Sequence, residues 1–168
     1  LGLIGDPGAT TRLLDALQRY SDGQTFNAVL AALAKIRDPQ SVNRLCVFLV
    51  MSRDKGVRKS LIEALGTMKL AEAVPGLCDL IHDEDIAIRA AIIQALGDIQ
   101  HPSAIPALVT MLQDNERLKA AGLLAVGPRI SYLASEALKV IGTREAEEAV
   151  EAWKQSGGRK GFWPFRKS

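Results

Sequence analysis

A short motif, Ala-Leu followed by a small residue and closed by an apolar one, returns along this 168-residue chain at a nearly constant interval. It reads Ala32-Leu33-Ala34-Lys35-Ile36, Ala64-Leu65-Gly66-Thr67-Met68 and Ala95-Leu96-Gly97-Asp98-Ile99, with Ala137-Leu138-Lys139-Val140-Ile141 as a looser copy and Leu1-Gly2-Leu3-Ile4-Gly5 as one cut at its start. Leu1, Leu33, Leu65 and Leu96 stand 32, 32 and 31 residues apart. Self-similarity at such a period predicts a stacked array of one supersecondary unit.

Each unit reads as a helical hairpin. Apolar Ile105, Leu108, Met111 and Leu112, and Val74, Leu77, Leu80 and Ile81 one unit earlier, recur at helical spacing and form a first helix. Pro7, Pro39 and Pro102 sit where that helix begins, a position at which a missing N–H is harmless, and Asp6 and Asp38 precede two of them as caps. Breaks near Ser52-Arg53-Asp54 and His82-Asp83-Glu84-Asp85 separate it from a second helix, whose stripe is Val57, Leu61, Leu65, Met68 or Ile88, Ile92, Leu96, Ile99. One such pair cannot exclude water from its own apolar stripe, so successive pairs must share a core. The small residues of the motif let second helices approach closely, and its glycine suits a C-terminal cap.

The stretches Asp98-Ile99-Gln100-His101-Pro102-Ser103-Ala104-Ile105-Pro106-Ala107-Leu108 and Asp85-Ile86-Ala87-Ile88-Arg89-Ala90-Ala91-Ile92-Ile93-Gln94-Ala95-Leu96-Gly97 resemble the short-period HEAT repeats named after the phycobilisome lyases. The resemblance implies an all-α, right-handed α-solenoid of antiparallel helix pairs with an ARM-type superhelix. About four and a half repeats fill residues 1–155, the last with an insertion at 113–129, and residues 156–168 form a basic aromatic tail. Arg58 and Arg89 share the rank at which the family carries an arginine, whereas Phe26 and Ser131 hold it elsewhere. The resemblance implies that each arginine bonds an aspartate near the start of a neighbouring second helix, Asp54 and Asp85 being the candidates.

The interval from Leu96 to Leu138 is 42 residues. Leu118-Lys119-Ala120-Ala121-Gly122-Leu123-Leu124-Ala125-Val126-Gly127 imitates a second helix, so either 115–126 or 130–142 fills that place, with Gly127-Pro128 dividing them. Leu30, Ile62 and Ile93 share a rank outside the main stripe, joined by Ile86 and Ala90. They read first as inter-repeat packing and second as a partner-binding strip rimmed by Lys55, Lys59 and Glu63. In the tail, Phe162, Trp163 and Phe165 lie among four cations and no acid, a composition suited to docking on a protein or touching an anionic surface.

The net charge of +2 belongs to that tail; the remainder holds 17 basic and 19 acidic residues and so offers no basic stripe for nucleic acid. His82 and His101 fall in loops without metal-ligand spacing, and no nucleophile, carboxylate pair or phosphate loop assembles. No cofactor or metal is expected. Cys46 and Cys78, equivalent residues of successive first helices, read as reduced thiols of a cytoplasmic protein. With no apolar run of spanning length, stable membrane insertion is not expected, and the start inside a repeat reads as a piece of a longer protein. The function expected is a non-catalytic scaffold or adaptor that binds another protein. The family resemblance adds an alternative, a subunit of a phycobilin lyase or isomerase acting on a tetrapyrrole and its acceptor protein.

Overall fold

The computed structural model describes residues 7–19, 23–119 and 126–158. The truncated copy at Leu1–Gly5 and the Asp6 cap lie outside the described residues. Five first helices, α1 (Pro7–Arg19), α3 (Pro39–Met51), α5 (Ala73–Asp79), α7 (Ile105–Met111) and α9 (Arg144–Trp153), alternate with four second helices, α2 (Gly23–Ile36), α4 (Lys55–Met68), α6 (Ile86–Ile99) and α8 (Ile130–Ile141). Each first helix from α1 to α7 packs on the second helix that follows it, and α2, α4, α6 and α8 stack in one layer. The first helices form the other layer, with a 3-10 turn at Pro102–Ala104 bridging α5 to α7. This is an all-α solenoid, and no described helix is long and apolar enough to cross a membrane.

Local chemistry places the helix starts. Pro39 opens α3, and the Asp38 carboxylate accepts from Gln40 N–H at 3.0 Å. Pro102 opens the 3-10 turn. Asp54 and Asp85 cap α4 and α6, accepting from Val57 N–H and Ala87 N–H, each at 2.8 Å. The first helices α5 and α7 are only seven residues long, and the apolar Ile81 and Leu112 fall just beyond them in turns, buried all the same.

One expectation about the second helices changes. Gly66 and Gly97 do not cap them; both are buried inside the helices, where Gly66 abuts Ala95 and Gly97 abuts Ala137 of the next second helix. The left-handed cap comes later, at Lys69 (φ 50°), Gln100 (φ 57°) and Gly142 (φ 66°), with Arg37 (φ 53°) in the same place after α2. Leu30, Ile62 and Ile93 are core residues, 3%, 0% and 1% exposed, as the inter-repeat packing reading expects. A helix such as α4, with α2 and α6 in its layer and α3 and α5 behind it, must bury more than one stripe.

The inserted segment resolves in favour of α8. Arg117–Lys119 (β1) and Val126–Arg129 (β2) form a two-stranded antiparallel ribbon, and Ile130–Ile141 is the second helix. Gly127 lies so close to the Leu118 backbone that a side chain there would collide with it. No side chain caps α8; instead Ile130 N–H and Ser131 N–H donate to the carbonyls of Glu116 and Asp114, at 3.0 and 2.8 Å.

Candidate partner-binding groove

The second helices carry the most distinctive surface. Along α4, α6 and α8 runs a groove of about 610 Å³. Its floor is low because Gly66, Ala91, Ala95, Gly97 and Ala137 have little or no side chain, and the close Gly66–Ala95 and Gly97–Ala137 contacts hold the three helices together there. Lys59, Glu63 and Thr67 rise from α4, Gln94 and Asp98 from α6, and Glu136 from α8. Leu118 of the inserted ribbon, with Leu133 and Val140, adds apolar wall, and Val140 is 53% exposed. The ribbon thus completes one side of the groove.

Of the partner-binding residues expected from sequence, only some reach this surface. Ile93 borders the groove from the core, while Leu30 and Ile62 are sealed within it, so none of the three offers a free side chain. Lys59 is on the rim, 3.6 Å from Glu63. Lys55 instead bonds Asp85 at 2.6 Å, and Ile86 is half-buried against the core. Phe162, Trp163 and Phe165 lie outside the described residues. The residues that sequence reasoning missed are small ones, Ala87 and Ala91, beside Ala90. Their signal was the run of alanines on α6, which widens a groove by what it omits.

Arg58 and Arg89 do lock neighbouring repeats, but through other acids than Asp54 and Asp85. Arg58 Nη2 meets Asp83 at 2.5 Å, and Arg89 Nε meets Asp114 at 2.9 Å, each partner lying 25 residues further on. Asp54 and Asp85 are occupied as caps of their own helices. Asp83 and Asp114 each also accept, at 2.9 Å, from the N–H two residues along, which fixes the loop. Arg89 adds Glu116 at 2.8 Å and the carbonyls of Asp83 and Glu84. Burial opposes the charge of Asp83, but hydrogen bonds from Arg58 and Asp85 N–H outweigh it and hold the carboxyl below its ordinary value. Asp85 is likewise lowered, chiefly by the bond from Lys55 and then by Ala87 N–H. Where Phe26 replaces the arginine, Ser52 stands two before the Asp54 cap, as Asp83 stands two before Asp85, so both halves of the joint are missing together.

Other candidate chemistry is dispersed. His82 faces Thr110 at 3.3 Å and His101 faces Ser103 at 2.7 Å, and no group of three or more metal-ligating side chains occurs among the described residues. Cys46 and Cys78 are free and half-buried, and burial raises the pKa of both thiols. Cys46 Sγ fills the space beside Gly76, tying α3 to α5.

A family model for HEAT repeats matches residues 42–127. Among solved structures, the chain is similar to one in the complex of CpcE and CpcF of phycocyanin lyase from Nostoc sp. PCC7120, at 22% identity and a TM-score of 0.63, covering 90% of this chain and 66% of that one. It is also similar to an engineered protein, at 22% identity and a TM-score of 0.50, covering 90% of this chain and 41% of that one. The present chain therefore spans less than two thirds of either. No curated protein matches it. With its period, its paired helices, its arginine joints and the match over more than half its length, the chain belongs to the HEAT-repeat family.

Proposed function

We propose that the protein is a scaffold that binds a helical or extended segment of another protein in the groove across α4, α6 and α8. The groove carries this reading: it has the volume of a ligand site, an apolar small-residue floor, and a rim of polar groups able to set orientation. The half-buried free thiols suit a reducing compartment, and we assign the protein to the cytoplasm. The test is selection of displayed peptides on the full chain, followed by titration against Ala91→Arg and Val140→Arg, which fill the groove from half-buried and exposed positions. Affinity should fall at least tenfold with the melting temperature unchanged. Selected peptides that bind all variants equally would remove the groove from consideration.

A second reading follows from the likeness to a chain of the phycocyanin lyase complex. Under it the protein is a lyase-like subunit, and the groove holds a tetrapyrrole together with its acceptor. Titration with a bilin separates the two: a shifted absorption band lost in Ala91→Arg favours the lyase reading, and an unchanged spectrum excludes it.

A further inference from the structure

The groove has a charge, and the chain carries a segment of the opposite charge. Glu63, Asp98 and Glu136 border it together with Lys59, and with Lys139 beside Glu136 the excess is one negative charge. Glu63 is paired with Lys59 and Glu136 with Lys139, but Asp98 has no ion-pair partner among the described residues. Beyond Gly158 the sequence is Arg159-Lys160-Gly161-Phe162-Trp163-Pro164-Phe165-Arg166-Lys167-Ser168, with four cations, no acid and three aromatic side chains. The groove supplies the converse: acids at the rim and space over glycine and alanine at the floor.

The way the chain leaves α9 suits the same end. Gly157, at φ 97°, breaks the helix, and Gly158 lies against the indole of Trp153 where no side chain would fit. The backbone bends here instead of running on along the axis of α9, which packs directly on α8. Ten residues of extended chain span about 33–36 Å. Three second helices at about 8–10 Å spacing, with one more spacing from α9 to α8, place the far wall of the groove about 24–30 Å from α9. The tail is long enough to cross it.

We propose that residues 159–168 fold back within the same molecule and occupy the groove, their aromatic rings over the small-residue floor and their cations at Glu63, Asp98 and Glu136. This rests on the reading of the groove as a binding surface and adds its resident ligand. An external partner then competes with the tail and has the same chemistry, an aromatic segment flanked by basic residues.

The test uses the full chain carrying Trp153→Phe, so that Trp163 is the sole tryptophan. Its emission should be blue-shifted and its quenching by acrylamide at least threefold weaker than in a synthetic peptide of residues 159–168, independent of protein concentration. Adding Glu63→Lys and Asp98→Lys, both at exposed positions, should return quenching to the peptide's value with the melting transition unchanged. Quenching equal to the free peptide in the parent overturns the proposal. So does shielding that survives the charge reversals, which places the tail elsewhere, or shielding that grows with concentration, which makes the occupant a second copy. Failure of the scaffold reading looks different. Peptides selected on the groove should bind at least threefold tighter when Phe162, Trp163 and Phe165 are changed to Ser. Equal affinity with and without the aromatic tail sinks the tail alone, whereas a shielded tail with no groove-binding peptide sinks the external partner alone.

Discussion

Three second helices end on non-glycine residues in the left-handed region, Arg37, Lys69 and Gln100, while the fourth ends on Gly142. An L side chain in that conformation costs about 1–2 kcal/mol, offset in part by the greater freedom of glycine in the unfolded chain. Gln100→Gly should therefore raise stability by about 0.5–1 kcal/mol, and Gly142→Ala lower it by about 1 kcal/mol, read as shifts of the urea midpoint. Arg37 is a different case, because its Nε donates to Met68 C=O at 2.7 Å and so closes the end of α4. The repeat joints predict an acid response. Asp83 and Asp85 are held below the ordinary value of 3.8, so their contribution is complete above that pH and is lost as pH falls through the lower folded values. The urea midpoint should be level from pH 7 to about 5 and drop below about 4, with a shallower drop in Asp83→Asn. The arginine rank was legible from its recurrence; its partner was not, because the loop that Arg58 reaches holds three acids, Asp83, Glu84 and Asp85, and the one that Arg89 reaches holds two, Asp114 and Glu116. At Arg58 the cap rule decides: Asp85, at the helix start, is consumed by its own N–H groups and leaves Asp83 for the arginine, whereas Arg89 takes both Asp114 and Glu116.

At the level of whole helices, the Ala-Leu-Gly motif acts as a spacer. A Cβ placed on Gly66 would stand 2.9 Å from both Ala95 Cα and Cβ, whereas one on Gly97 would stand 3.2 Å from Ala137 Cβ. Backbone must yield in the first case and a methyl in the second. Gly66→Ala should accordingly cost about 1–3 kcal/mol and Gly97→Ala less, measured by chemical denaturation. Close approach was readable from the motif, but its glycine as a cap was not, since Met68 and Ile99 extend the helices two residues past the point where the glycine would have ended them. The ribbon escaped periodicity for a similar reason. Leu118 to Gly127 has the composition of a helix, and only the fit of Gly127 against Leu118 reveals the pairing.

Over the whole molecule, stability should be graded along the stack. The helices α4 and α6 have neighbours on both sides in their layer and share both arginine joints, while α1 and α9 have fewer. In a one-dimensional array the ends open first. Hydrogen exchange should show the slowest amides in α4 and α6 and progressively faster ones toward α1 and α9; uniform protection would mean that the array unfolds as one unit. The architecture was legible because a period is a global property that local ambiguity does not erase. The groove was less so, because it is defined by absent side chains, and a periodic reading rewards large apolar residues that turn out to be interior.

The inserted ribbon leaves the chain only after Asp114 and Glu116 have made their bonds, and those same residues close the start of α8 with their carbonyls. The backbone bonds that close α8 are thus made by residues that precede the ribbon. Since Leu118 of the ribbon forms part of the groove wall, substitutions at that position would retune what the surface accepts while leaving those closing bonds in place.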